Sequence, residues 1–326
     1  MNSPLISVVV PIYNTEAFLK ECIDSIANQS FNLLQVILVD NGSSDNSGRI
    51  CDEFSQKDSR FVVVHKKHGS ISSARNAGLQ HAACPFTAFV DSDDVLCEDY
   101  FSELYYSAIQ TNADIVICKA NRMYKDMIEQ NADSETAKVL TKDEAMIEWI
   151  CHHLFGSEVW GKLFKTSIVD TIIFPEKRCE DMYYVFEAIK RSNTIYVIDK
   201  HLYLYRMHRL YSERTQFRRP VEDEKIETYE CILDYTLEKM DYAYDQMLVA
   251  SFDSIWSSVM KIYSARKESL QIGYINNSKR FIKQHWKEIE KSNNIATKNK
   301  MLSYLFVNHD RIFRDVFRMR NILFAR

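Results

Sequence analysis

Three carboxylates, Asp91, Asp93 and Asp94, stand within four residues of the stretch "AFVDSDDVL", directly after a hydrophobic run. Like charges so close repel and raise one another's pKa, so the stretch calls for a positive species. Two hard oxygen donors, Asp91 and Asp93, suit Mg²⁺ or Mn²⁺, which keep their remaining positions for waters and phosphate oxygens. An extended strand end would project both to one side, leaving Asp94 to cap a helix expected to begin near Glu98. "VDNGSSDNS" places Asp40 at another strand end, before a glycine turn in which Asp45 can cap the next helix. A carboxylate at a strand tip can accept from a ribose hydroxyl or a base N–H. "HGSISSARNAG" opens a helix rich in small residues, suited to close packing on a sheet, and its start favours an anion. One turn in stands Arg75, able to pair with a phosphate or with a strand-end carboxylate.

These residues need elements to hold them. Apolar patterning predicts strands at 6–10, 35–39, 61–65 and 86–90, alternating with helices at 16–28, 47–57 and 72–83. A βαβαβαβ order implies a parallel sheet with right-handed crossovers. Ligands of such sheets bind beyond the carboxyl ends of the strands. "PIYN", "DNGSSD" and "DSDD" follow the first, second and fourth strands, at those ends. Six of the 7 glycines precede Lys162, and all 5 prolines lie at or before Pro220. Beyond that the only breaker is Gly273, so the last third is expected to be helical.

The bulk composition narrows the class. The chain has 326 residues, 46% hydrophobic and 26% charged, as in ordinary globular proteins. A net charge of -4 gives no footprint for nucleic acid. No apolar run approaches bilayer length, and the first residues read as a strand and a turn rather than a secretory signal. The 8 cysteines show no CxxC spacing, so reduced thiols in the cytoplasm are expected rather than a zinc or redox site.

A hydrophobic run before Asp-x-Asp resembles the haloacid-dehalogenase phosphohydrolases, in which Asp91 would be a nucleophile. That motif normally stands on the first strand, and here three strands precede it. "SVVVPIYNTEAFLKECIDSI", "ILVDNGSSDNS", "GSISSARNAGL" and "FVDSDD", in this order and spacing, resemble the family 2 glycosyltransferases far more closely. The resemblance implies an α/β GT-A fold at 1–216, followed by a helical C-terminal region at 217–326. It further implies a UDP-sugar donor, Mn²⁺ or Mg²⁺, and inversion at the anomeric carbon. The turn holding Pro11 and Tyr13 would contact the nucleotide, Asp40 the uracil, and Asp91 and Ser92 the ribose side of the donor. Asp93 would be the principal metal ligand with Asp91 beside it, and Arg75 would support the nucleotide site. Many relatives have a second Asp where Asn41 stands.

Two later blocks, "VWGKLFK" and "FPEKRCEDMYYVFEAI", resemble those of polysaccharide-building members. There Asp181 matches the base that takes the acceptor proton, with Glu180 and Trp160 toward the acceptor. The residues alone also allow two acids favouring a helix N-terminus, and a core tryptophan. "LYLYRMHRLYSERTQ" resembles a lid near the diphosphate, in which His208 would ligate metal and Arg206 or Arg209 would balance phosphate charge. Leu210-Tyr211-Ser212 replaces the Gly-Ser pair frequent in relatives. The closing "DRIFRDVFRMRNILFAR" is basic and amphipathic, open to packing on the protein's own core, on a second subunit, or on an anionic membrane surface.

The expected activity is transfer of a hexose or N-acetylhexosamine from a UDP-sugar to a glycan acceptor (capsule, exopolysaccharide or surface glycoprotein glycan, including lipid-linked forms). The expected place is the cytoplasm, at the inner face of the membrane. The rival readings are a non-catalytic nucleotide-binding partner subunit and a phosphohydrolase.

Overall fold

The computed structural model describes residues 3–125, 127–129, 137–177, 179–207, 223–264 and 271–323. The chain divides into two compact units, one of Met1–Met146 with Phe155–Thr215, the other of Ile147–Leu154 with Gln216–Arg326.

In the first unit the β-branched run "ISVVVPI" forms β1 (Ile6–Ile12), buried along its whole length. Around it alternate α1 (Glu16–Ala27), β2 (Leu34–Asp40), α2 (Ser47–Lys57), β3 (Phe61–His65), α3 (Ile71–Leu79) and β4 (Phe86–Phe89). Strands β1 to β4 pair in parallel in the order β3-β2-β1-β4, as the alternating pattern requires. Helix α1 buries Leu19, Cys22, Ile23 and Ile26, one stripe at helical spacing. There follow β5 (Val95–Leu96), α4 (Tyr100–Thr111), β6 (Ile115–Tyr124), β7 (Met127–Glu129), β8 (Lys138–Thr141), α5 (Lys142–Ile147), β9 (Lys162–Lys165), α6 (Thr166–Val169), α7 (Glu180–Arg191) and β10 (Thr194–Arg206). The sheet continues β4-β9-β6-β10-β5, with β9 antiparallel to both of its neighbours, so the whole sheet is mixed.

Strand β10 runs through Arg206. The segment 202–206, expected in a lid, is therefore strand, because Leu202 and Tyr203 turn inward to the core, 7% and 0% exposed. Asp94 does not cap α4. That helix starts at Tyr100 after Asp99, and the Asp94 carboxylate is engaged elsewhere. Asp45 does serve helix starts, accepting from Ser47 N–H of α2 at 2.9 Å and from Glu16 N–H of α1 at 3.1 Å. Glu16 in turn accepts from Asn46 N–H at 2.6 Å through its carboxylate. The two helix N-termini thus satisfy each other's orphan donors and fix both loops at the strand ends.

The second unit is helical: α8 (Asp223–Lys239), α9 (Tyr244–Ser264), α10 (Ile272–Gln284), α11 (Trp286–Lys291), α12 (Thr297–Asn308) and α13 (Asp310–Leu323). Its core joins Phe252, Trp256 and Tyr263 of α9 to Phe306 of α12 and Phe313 of α13. The start of the basic closing helix thus packs on its own unit through Phe313, 0% exposed, while Ile312 stays 51% exposed. The side chains of Phe317, Leu323 and Phe324 lie outside the described residues. Among the described residues no helix is long and apolar enough to cross a membrane.

Gly78 lets α3 lie directly on the sheet. A Cβ there would stand 2.3 Å from Val9 Cγ1 and 3.2 Å from Val39 Cγ2. Gly78→Ala should therefore destabilise the protein by roughly 1–3 kcal/mol, the usual cost of overpacking. Chemical denaturation of the two proteins checks this, and equal midpoints would contradict the close approach.

Candidate active site

The expected site residues gather at the carboxyl ends of β1, β2 and β4. Ile12 of β1 pairs in register with Asp40 of β2, so the "PIYN" and "DNGSSD" turns leave the sheet side by side. Asp40 is 7% exposed, and both of its oxygens are engaged. Ser43 N–H donates to Oδ1 at 3.0 Å, and His65 Nδ1 meets Oδ2 at 2.9 Å. Burial acts to raise the Asp40 pKa, but the Ser43 and His65 hydrogen bonds outweigh it and hold the carboxyl below its ordinary value. Asn41 donates to Gly69 O at 2.8 Å and accepts from Gly69 N–H at 3.1 Å and from Lys66 Nζ at 2.7 Å. A carboxylate cannot donate the first of these bonds, which explains an amide at this position. Tyr13, 44% exposed, stacks on His68 with ring centroids 4.1 Å apart. Pro11 lies in buried β1 and aims this turn.

The acidic stretch is a tight turn, not a strand end. Asp94 N–H closes on Asp91 O at 3.1 Å, so Asp91 and Asp93 are not set on one side by strand alternation. Thr15 donates to Ser92 Oγ at 3.1 Å, tying the turn to the start of α1. Ser92, Asp93 and Asp94 are buried, whereas Asp91 keeps 25% of its side-chain surface. Tyr203 of β10 donates to Asp94 Oδ2 at 2.8 Å and accepts from Asp91 N–H at 3.2 Å. Arg206 donates its backbone N–H to Asp94 Oδ1 at 2.8 Å, its Nε–H to Asp93 O at 2.7 Å, and Nη2 to Glu21 at 2.6 Å. Arg206 therefore braces the turn, with its guanidinium committed to protein oxygens rather than set aside for phosphate. Burial first, then the Asp91 charge, push the Asp94 carboxyl up to about 8 against the pull of Arg206 and Tyr203.

Arg75 joins this turn to the later block. It is 2% exposed, and its Nη2 meets Asp91 Oδ1 at 3.3 Å. Its Nη1 donates to Glu180 Oε1 at 2.8 Å and Asp181 Oδ1 at 2.5 Å, both at the start of α7. Its burial acts against the charge, but Asp181, Asp91 and Glu180 together raise its pKa. The guanidinium lies over Phe174, 5.4 Å from the ring centroid. Phe174 stacks on Tyr184 of α7 at 4.0 Å and meets Phe89 of β4 edge-on at 5.4 Å. Asn76 clamps the same segment, donating to Phe174 O and accepting from Phe174 N–H, both at 2.9 Å. The Asp181 carboxyl is pushed up to about 7 by burial, with Arg75 opposing and Glu180 and Asp91 adding to the rise. Trp160 stacks on Tyr203 at 4.5 Å and on Tyr205 at 5.5 Å, so it is packed against β10 and only partly buried.

The turn fits a divalent cation by its chemistry. Asp94 is held by Tyr203 and Arg206, and Asp91, which also meets Arg75 at 3.3 Å, and Asp93 supply two hard oxygen donors of the kind a divalent cation takes. Among the described residues no third His, Cys, Asp or Glu completes a three-ligand group. His208, expected as a ligand, lies outside the described residues, as does Arg209. Four residues were not singled out from the sequence: His65, Asn76, Tyr203 and Glu21. Each acts through a partner distant in sequence, and only His65 lies outside the quoted motifs.

The family model for Glycosyl transferase family 2 matches residues 7–162. The glycosyltransferase GlyG of Streptococcus pneumoniae serotype 4 is 34% identical over 227 residues, 66% of this chain and 75% of GlyG. The chain belongs to glycosyl transferase family 2. EpsJ of Bacillus subtilis, an uncharacterized glycosyltransferase, is 34% identical over 214 residues, 62% of this chain and 61% of EpsJ. The chain thus spans about 61% of the length of that relative. The crystal structure of Staphylococcus aureus TarS 1–349 with UDP-GlcNAc superposes with a TM-score of 0.78 at 22% identity, covering 97% of this chain and 92% of that one. The shared fold is GT-A, followed by helices.

The raised carboxyls make stability depend on pH. Asp94 (about 8) and Asp181 (about 7) hold a proton in the folded protein that the unfolded chain has released above about 4. Their contribution is present at low pH and lost as pH rises through the folded values. His285, whose pKa burial lowers, acts in the opposite direction, but only below its unfolded value near 6.5. Without ligands, the thermal midpoint should therefore fall between about pH 6.5 and 8.5. Asp94→Asn, which removes the titrating group, should flatten that fall. An Asp94→Asn profile as steep as the wild type's would contradict the assignment.

Proposed function

We propose that this protein is an inverting, metal-dependent glycosyltransferase that moves a hexose or N-acetylhexosamine from a UDP-sugar to a glycan acceptor of the bacterial surface. The observation that carries the reading is the buried Arg75 guanidinium bridging Asp91 of the acidic turn to Glu180 and Asp181. One cation gathers a candidate donor site and a candidate base into one cluster. Family membership supports glycosyl transfer, and the UDP-GlcNAc bound by TarS supports a UDP-sugar donor. Against the phosphohydrolase reading, Asp91 already faces Arg75 at 3.3 Å and lies on a tight turn rather than a first strand.

Asp40, held as an acceptor by Ser43 and His65, takes the uracil N3–H, and Pro11 and Tyr13 shape the turn beside the base. Asp91 and Ser92 flank the ribose, and Asp91 and Asp93 would hold Mg²⁺ or Mn²⁺. Such a cation, when bound, would supply a Lewis acid for the negative charge of the diphosphate. Asp181 takes the proton of the acceptor hydroxyl as that oxygen bonds to the anomeric carbon. The bond from that carbon to UDP breaks on the opposite face, and UDP leaves with the electron pair, so the configuration inverts. A carboxyl raised to about 7 suits a base at neutral pH. Glu180 and Trp160 lie toward the acceptor. We place the reaction on the cytoplasmic side of the membrane, where lipid-linked acceptors are exposed.

Asp181→Ala should lower transfer by about 10²–10⁴-fold, the range of a lost general base, while UDP binding persists. Asp93→Ala should abolish both transfer and metal-dependent UDP binding. The wild-type rate should fall as pH drops below about 7, because Asp181 then carries a proton. UDP release with and without acceptor, followed by mass spectrometry of the product, checks all three. Full turnover by Asp181→Ala would remove it as the base, and wild-type release of phosphate from an aryl phosphate would favour the phosphohydrolase.

A further inference from the structure

His65 ends β3 directly beside Asp40, its register partner at the end of β2. We propose that His65, backed by Asp52, is a positioning residue for donor binding that holds the Asp40 carboxylate as a fixed acceptor for the nucleotide base. The inference rests on the nucleotide site proposed above and names a residue that the four family-like blocks do not contain.

The imidazole bridges two carboxylates. Nδ1 meets Asp40 Oδ2 at 2.9 Å, and Nε2 meets Asp52 Oδ1 of α2 at 3.1 Å. A neutral imidazole donates from only one nitrogen, so both contacts are hydrogen bonds only when the ring is an imidazolium. The hydrogen bonds of Asp40 and Asp52 favour that form by raising the His65 pKa. Ser43 N–H supplies the other oxygen of Asp40 at 3.0 Å. Asp40 therefore meets a donor on each oxygen, which fixes its plane and leaves it only lone pairs to offer. A ligand edge that donates N–H is accepted there, and one that presents only acceptors is repelled.

A second feature marks the pair as built. Gly48, in the first turn of α2, faces it. A Cβ there would stand 2.9 Å from Asp40 Oδ2 and 3.6 Å from His65 Cε1. The helix can approach the bridge only because this residue has no side chain. The His65 side chain is 50% exposed and the Asp40 side chain 10%. The imidazole thus supports Asp40 from the solvent side, and replacing it removes no part of the core.

The test is calorimetric titration of the full chain with UDP and Mn²⁺, together with steady-state kinetics. His65→Leu should weaken UDP binding about tenfold, the size of one charge-assisted hydrogen bond. KM for the UDP-sugar should rise in parallel while kcat holds. His65→Gln, which keeps one N–H for Asp40, should recover most of the loss. Unchanged UDP affinity in folded His65→Leu would overturn the inference alone, as would a loss confined to kcat. Failure of the wild-type protein to bind UDP at all would overturn the nucleotide-site reading and this inference with it.

Discussion

The structure of the site depends on one buried cation. A guanidinium that is 2% exposed cannot remain charged at tolerable cost unless oxygens replace its water, and Arg75 meets three carboxylates. Those carboxylates come from two parts of the chain that only the fold brings together, the turn after β4 and the start of α7. The requirement runs both ways, since Asp91, Glu180 and Asp181 would repel one another without the arginine. Much of the neighbouring architecture serves this contact. The small residues of α3 let the helix lie on the sheet so that Arg75 reaches the strand ends. Asn76, next in sequence, clamps the segment leading into α7. Phe174, Tyr184 and Phe89 form the aromatic floor beneath.

The site nevertheless keeps a surplus of negative charge. Arg75 and Arg206 face Asp91, Asp93, Asp94, Glu180, Asp181 and Glu21, and burial first, with neighbouring carboxylates adding, raises the carboxyls of Asp94 and Asp181. Arg206 and Tyr203 hold the acidic turn in shape while leaving Asp91 accessible. An acidic turn of fixed shape is poor ground for a bare phosphate and good ground for a divalent cation that carries one. Burial, with Glu180 and Asp91 adding and Arg75 opposing, raises the Asp181 carboxyl at the start of α7 to about 7. A single guanidinium thus joins the acidic turn to the start of α7.

Much of this was legible in the sequence. Apolar runs placed the first four strands within a residue or two, because buried parallel strands carry no competing pattern. Asp40 and Asp91 stood out as charges closely following apolar strands, whereas Asp181 was named only through the resemblance of its block to a family motif, since two acids opening a helix are ordinary. What was missed depends on distance in three dimensions. "DSDD" reads equally as strand end or turn, and only the bond from Asp94 N–H to Asp91 O decides it. Arg206 looked like a phosphate ligand because its partners, Glu21 and the acidic turn, lie far away in sequence. The extension of β10 was hidden by its polar and basic residues, since the buried side of "LYLYR" shows only once Tyr203 is seen between Asp91 and Asp94. His65 carried no local signal at all, as one histidine ending a strand is common.

In the proposed function, Arg75 unites a donor site at the acidic turn and a base at the start of α7 into one centre for inverting transfer. A crystal structure of the protein with Mn²⁺ and an intact UDP-sugar tests it most directly. The cation is expected on Asp91 and Asp93, the uracil N3–H on Asp40, and the Asp181 carboxylate on the face of the anomeric carbon opposite the diphosphate, with room between them for one hydroxyl. A donor bound with its anomeric carbon away from Asp181, or with Asp181 on the same face as the diphosphate, would contradict it.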